Sequence, residues 1–259
     1  MHKILSLILE SKKKRNAVLR KNVDAFRSLI QKAPPPVSFK KALKHEGKIS
    51  FIAELKQASP SAGVLRQDFD PVAIAKIFKK KKVQALSVLT EEDFFLGKVH
   101  YIEAIKKEIS LPILRKDFIL DKVQVMESRA VGADAILLIM GVLGPERLQT
   151  LYNQAKDLGM DALVEVTTES ELKKALNIGV DIIGVNNRNL HTFKVDIKRS
   201  KKLAPFLPSH VARISESGIH SLKDVLLLKG LGFDAVLIGE TLMRADSIEE
   251  KMKELNIDA

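Results

Sequence analysis

The chain has 259 residues, 46% hydrophobic and 29% charged, with no cysteine and a formal net charge of +11. This balance suits one large soluble domain with a sizeable core, residues 1–259. It excludes disulfides, thiolate nucleophiles and thiolate metal sites, and no apolar run approaches the about 20 residues of a membrane span.

The chain opens on a short apolar patch, Ile4 to Leu9, which Glu10 interrupts and a basic run, Lys12 to Arg15, follows. That order is the reverse of a signal peptide, so a cytoplasmic protein is expected. Leu19, Val23, Phe26 and Ile30 recur on one helical face, and residues 1–33 read as helix. Pro34-Pro35-Pro36 ends it, and a short basic helix covers Phe39 to Lys44. Residues 1–48 thus form a helical extension ahead of the first strand.

Strand and helix then alternate. Strands are expected near 49–56, 85–90, 112–118, 135–139, 161–166, 182–187, 210–217 and 235–240. Amphipathic segments fill the gaps at 71–82, 99–109, 121–131, 145–158, 168–177, 195–203, 220–229 and 246–255. Eight alternations point to a closed parallel (βα)8 barrel of the α/β class. Gly-x-Asp precedes a strand four times, at Gly132/Asp134, Gly159/Asp161, Gly179/Asp181 and Gly232/Asp234. The glycine can end a helix in the left-handed conformation and the aspartate can turn the chain into the strand. These are stability features of the N-terminal barrel face.

The basic surplus raises nucleic-acid binding as a possibility. Its clusters, Lys12–Arg15 and Lys79–Lys82, have no interleaved aromatics of the kind a stacking platform needs, and the chain holds no Trp. Both read as solvated helix surface. A positive field also attracts a small anionic substrate.

The apolar strand runs keep ending in polar residues, which collects those groups at one barrel face. In FIAELKQASPSAG at 51–63, Glu54 and Lys56 point to the same side of a strand. They form either a site or an internal ion pair, and the small loop from Ser59 to Gly63 can close over an anion. In LPILRKDF, Lys116 falls at a strand end, where desolvation would lower its pKa toward that of a general acid. The other reading is a surface lysine. Glu165 ends Leu163-Val164, and Asn186 ends a run followed by Asn187 and Arg188. Arg188 can hold a carboxylate bidentately, and Asn187-Arg188-Asn189 can also be a turn. RISESGI at 213–219 and AVLIGETLM at 235–243 are the last two strand ends, a frequent phosphate position in barrels. The histidines, His2, His45, His100, His191, His210 and His220, lack metal-ligand spacing, and no dinucleotide, P-loop or nucleophile-elbow pattern occurs.

Several motifs in order, FIAELKQASPSAG, ALSVLTEEDFFLG, LPILRKDFIL, ALVEV, IIGVNNRNL, RISESGI and LIGETLM, make the chain resemble the indole-3-glycerol-phosphate synthases of tryptophan biosynthesis. The resemblance covers nearly the whole chain. It implies a (βα)8 TIM barrel whose N-terminal extension lies near the catalytic face. It implies a cofactor-free lyase that converts 1-(2-carboxyphenylamino)-1-deoxyribulose 5-phosphate to indole-3-glycerol phosphate, CO2 and water. By position, Lys116 matches the general acid at the substrate carbonyl. Glu165 and Lys56 match the residues of later proton transfers, and Glu54 the carboxylate paired with that lysine. Asn186 matches an amide at the reacting centre, Arg188 a positioning arginine, and Glu216 and Ser217 a polar pair at the seventh strand. Ser59, Gly218 and Gly239 match a phosphate grip. Phe94, Phe95 and Phe118 match the wall of the anthranilate pocket.

Glu240 departs from the pattern, because many relatives carry serine there. A carboxylate ~4 Å from a phosphate costs roughly 4 kcal/mol at an effective dielectric near 20. Only its backbone N–H is therefore expected to face the phosphate, with the side chain turned to solvent or to a cation on the adjacent helix. The expected partner is a phosphorylated small molecule, with neither nucleic acid nor membrane, and the chain is expected to be a monomer. The same-fold alternative is a phosphate-binding isomerase such as phosphoribosylanthranilate isomerase. Those enzymes lean on an aspartate or cysteine pair, whereas these strand ends favour Lys and Glu.

Overall fold

A computed structural model describes residues 3–189, 192 and 194–256, so His2 and His191 lie outside the described residues. Eight parallel strands close into a barrel. They are β1 (Ser50–Leu55), β2 (Ala85–Leu89), β3 (Ile113–Lys116), β4 (Ala135–Ile139), β5 (Asp161–Val166), β6 (Ile182–Asn186), β7 (Ala212–Glu216) and β8 (Ala235–Ile238). β1 closes the ring on β8 with Ser50 opposite Ala235 and Ile52 opposite Leu237. Each strand is followed by a helix where the periodicity puts one, from Pro71–Lys80 after the first to Ile248–Glu254 after the last.

The two-residue strand period sorts the buried side chains into two cores. Outward residues such as Phe51, Val88, Ile136, Val164 and Val236 pack under the helices. Inward residues such as Ile52, Leu114, Leu163 and Ile214 fill the barrel axis. Both faces of each strand are buried, which is why the runs read as unbroken apolar sequence.

The extension reaches both ends of the barrel. Helix α1 (Lys3–Leu19) lies at the mouth, where Leu5 and Ile8 reach the central cavity. A 3-10 turn, Arg20–Asn22, interrupts the helix expected through residue 33. Asn22, a poor helix former, takes φ −105° at the position before α2 (Val23–Lys32), which runs along helix Lys122–Ala130. Helix α3 (Phe39–Leu43) then sends Phe39 and Leu43, both fully buried, into the axial core from the opposite end. The extension is thus not confined to the catalytic side.

The four Gly-x-Asp glycines take positive φ, from 77° to 87°. The aspartates do more than turn the chain. Asp134 accepts from the N–H of Ile113 and of Val37, Asp161 from Lys40 N–H, and Asp234 from Arg213 N–H. Three of the four thereby tie a neighbouring strand or the extension to the N-terminal face.

The two basic clusters are not wholly solvated. Lys12 is buried against Asp117 at 2.7 Å, and Arg15 pairs with Glu92. Lys81 is buried as well, while Lys13, Lys14, Lys79, Lys80 and Lys82 are exposed.

Candidate active site

A cavity of about 290 Å³ opens at the carboxyl ends of the strands. Its charged floor follows from strand parity. Glu54, Lys116, Glu165 and Glu216 each stand two residues beyond an axial core residue: Ile52, Leu114, Leu163 and Ile214. Asn186 follows Gly184 in the same way, and the register sets Asn186 opposite Glu216. Gly184 interrupts an apolar run because a Cβ there would overlap the Glu216 carboxylate. Gly239 is held to glycine likewise, since a Cβ would overlap Glu54.

Lys116 Nζ donates to Glu216 Oε2 and lies 3.6 Å from Glu165 Oε2. Lys56 Nζ donates to Glu54 Oε1 at 2.7 Å, and Ser87 Oγ reaches Glu54 Oε2 at 3.5 Å. Three carboxylates therefore face two ammonium groups. The remaining oxygens, Oε1 of Glu165 and Oε1 of Glu216, are buried and accept no hydrogen bond among the described residues. Buried acceptors without a partner are uncommon, and each asks for an explanation.

The lysine's pKa moves opposite to the expectation from sequence. Burial alone would lower it, but the charges of Glu216, Glu165 and Glu54 outweigh burial and raise it. Lys116 is thus held protonated, as an acid. The balance for Glu216 runs the other way. Burial pushes its pKa up to about 7, Lys116 opposes the shift, and Glu165 and Glu54 add to it by repulsion. Burial also disfavours the Glu54 anion, but Lys56, Lys116 and Arg188 overcome this and lower its pKa.

Behind the lysine, Arg115 turns away from the cavity, and Asp117, at the cavity rim, pairs with it. Arg115 is held by Thr90, Ser128, Asp117 and Glu127, all buried. Asp117 also accepts from Thr90 Oγ1 at 2.6 Å and binds Lys12. Burial opposes its charge, yet Lys12 and Arg115 bring its pKa down to about 2. This network brackets Lys116 on both sides in sequence and anchors α1 over the mouth.

The wall is apolar on one side. Phe95 and Phe118 face each other with ring centroids 6.5 Å apart, and Leu5 and Ile8 of α1 complete that side. The buried Glu91 carboxylate accepts from the N–H groups of Phe94 and Phe95, shaping this loop. Phe94 and Ser59, expected at the site, are not among the residues lining the cavity. Ser59 Oγ is buried without a hydrogen bond among the described residues, and the neighbouring Pro60 lines the cavity instead.

The other side is polar. Ser217 and Gly218 take positive φ, 69° and 74°, after β7, and Gly239 precedes a short helix, Glu240–Met243, after β8. A non-glycine residue in that region is strained, and such strain clusters at ligand sites. Asn187 braces the loop: its Nδ2 donates to Ser217 O and Ser215 Oγ, and its Oδ1 accepts from Ser200. Asn187 is therefore a buried brace, while Asn189 forms the turn, accepting from Thr192 N–H. His220 and Thr241, hydrogen-bonded at 3.0 Å, also line this side, and the sequence reading did not single them out.

Glu240 does not turn to solvent or to an adjacent helix. Its Oε2 accepts from Arg188 at 3.0 Å across the mouth, and its Oε1 from Arg244 at 3.2 Å one helical turn on. Arg188 also donates to Ser61 Oγ at 3.2 Å.

A closed eight-stranded parallel barrel with a buried lysine and glutamate cluster at the carboxyl ends of its strands defines a (βα)8-barrel enzyme. The profile of the indole-3-glycerol phosphate synthase family matches residues 5–255. The chain is 53% identical over 219 residues to the indole-3-glycerol phosphate synthase of Acetivibrio thermocellus, covering 85% of this chain and 84% of that one. It is 48% identical over 248 residues to that of Thermoanaerobacter sp. (strain X514), covering 93% and 95%. The fold is also that of 3-hexulose-6-phosphate synthase from Salmonella typhimurium, at 18% identity and a TM-score of 0.64, covering 81% of this chain and 98% of that one. The chain belongs to the indole-3-glycerol phosphate synthase family.

Proposed function

We propose that the chain converts 1-(2-carboxyphenylamino)-1-deoxyribulose 5-phosphate to indole-3-glycerol phosphate, CO2 and water. The observation that carries this reading is the Lys116 ammonium, buried at the axis within reach of Glu216 and Glu165, with Lys56 and Glu54 beside it. In the first step a ring carbon attacks the substrate ketone, and Lys116 protonates the oxygen as negative charge develops there. Loss of CO2 then returns electrons to the ring. Loss of water needs an acid at the departing hydroxyl and a base for a proton, and Lys56 and Glu165 share those transfers. Glu54 holds Lys56 in place, Asn186 contacts the reacting centre, and Glu216 restores the proton Lys116 gives up. A Glu216 carboxyl pushed up beside a Glu54 carboxyl held down, with Lys116 held protonated, suits such a sequence.

The substrate's two ends match the two sides of the cavity. Phe95 and Phe118, with Leu5 and Ile8, take the aromatic ring. Ser217, Gly218, Gly239 and the N–H of Glu240 take the phosphate. Arg188 takes the carboxylate. The enzyme acts as one cytoplasmic domain and as a monomer. Incubation with the substrate should produce indole fluorescence, and phosphoribosylanthranilate should not turn over. Turnover of the latter in place of the former would replace this reading with the isomerase.

A further inference from the structure

Two of the five guanidinium donors of Arg188 are already engaged, one by Glu240 and one by Ser61, so a substrate carboxylate meets an arginine that already has an anionic partner. Both Arg188 and Glu240 line the cavity, and their side chains are 22% and 27% exposed. We propose that Glu240 is a positioning residue that competes with the substrate carboxylate for the Arg188 guanidinium, weakening ground-state binding and thereby speeding loss of CO2. The proposal rests on the reading that Arg188 takes that carboxylate.

The chemistry supplies the reason. After ring closure the bond between the ring carbon and the carboxyl carbon breaks. Its electron pair flows into the ring and quenches the iminium at nitrogen, and CO2 leaves without charge. The negative charge that Arg188 holds in the bound substrate therefore fades toward the transition state. A tight guanidinium pair lowers the ground state more than the transition state, so it improves binding and slows the step. A second carboxylate on the same guanidinium limits that loss. Glu240 suits the role because it has a second partner. Arg244 already holds its other oxygen, so yielding Arg188 does not leave Glu240 unpaired. Once CO2 has gone, Glu240 is again the nearest anion to Arg188.

Glu240→Gln keeps the size and removes the charge. KM and kcat should both fall, each by about threefold, as fits a partly exposed ion pair, with kcat/KM nearly unchanged. A loosened helix would instead raise KM and lower the Tm. Inhibition by the product, which keeps the phosphate but not the carboxylate, should stay the same. Arg244→Gln should act in the opposite direction, raising KM as Glu240 settles wholly on Arg188. A KM that is unchanged or raised in Glu240→Gln would overturn the proposal. So would tighter product inhibition, since Glu240 would then oppose the phosphate. Arg188→Met separates the two layers. If it leaves KM unchanged, the carboxylate assignment of Arg188 fails. If it raises KM while Glu240→Gln is silent, only the competition fails.

Discussion

At the N-terminal end of the barrel, Phe39 and Leu43 close the axis with fully buried apolar groups, and Asp134, Asp161 and Asp234 stand outside it, each accepting from backbone N–H and paired with a lysine or arginine. At the other end the same inward positions carry Glu54, Lys116, Glu165 and Glu216, which face one another and leave two carboxylate oxygens without a hydrogen bond among the described residues. One pleat thus builds both ends, and the difference lies in where charge is desolvated. Charge kept outside the axis and hydrogen-bonded to backbone stabilises. Charge turned inward costs solvation, and here it is gathered into one cluster of lysines and glutamates. The extension couples the two, since α3 plugs one end and α1 walls the other.

The sharpest way to break the comparison is at the plug. Phe39→Ala should cost about 3–5 kcal/mol, the range for deleting a buried aromatic, and leave kcat of the folded enzyme near wild type. Urea unfolding paired with kcat measures both. A loss near zero would show that the lower core does not depend on α3. The opposite signature belongs to Lys116→Met. Here kcat should fall at least ~10²-fold, with a smaller change in KM, and a variant keeping a third of wild-type kcat would remove Lys116 from the chemistry.

The aromatic wall is the intermediate case. Leu5→Ala with Ile8→Ala should raise KM about tenfold, the loss of roughly two buried methylene contacts on substrate, with kcat little changed. Equal KM in variant and parent would make α1 packing only. Deleting all of residues 1–48 is the poorer experiment, because it also withdraws Phe39 and Leu43 from the axial core and mixes a loss of stability with a loss of the wall.

Much of this was legible in the chain, and the limits have physical causes. The strands and their polar ends could be read because a doubly buried strand leaves an unbroken apolar run, and parity fixes which strand-end residue turns inward. Lys12 was misread because a run of four basic residues looks solvated. The missed signal was its spacing, as Leu5, Ile8, Lys12, Asn16 and Leu19 share one buried helical face. The direction of the Lys116 shift needed to know which carboxylates converge on it, and Glu165 and Glu216 lie far along the chain. The Arg188 partner stayed hidden for the same reason, being 52 positions away. Nothing in the chain shows why a glycine stands at 184 inside this strand, because the Glu216 carboxylate that would meet a Cβ there comes from another strand.

The smallest expected effect lies within the mouth, where the pKa values of two buried carboxyls are displaced in opposite directions. Glu216, lifted from its ordinary 4.5 to about 7, binds its proton more tightly folded than unfolded. Its contribution to stability is therefore fully present below about 4.5 and is lost as pH rises through about 7. Asp117, lowered from 3.8 to about 2, behaves inversely: its contribution is present above 3.8 and is lost as pH falls through about 2. Glu216→Gln should accordingly flatten the decline in stability between about pH 4.5 and about pH 7 and change little below it. Asp117→Asn should destabilise throughout neutral pH, with the penalty shrinking only in acid. Urea unfolding across this range, for each variant against the parent, reads both slopes. Two difference curves running parallel would mean that the inward and outward carboxylates feel the same field, and the contrast drawn between axis and periphery would fail at the mouth.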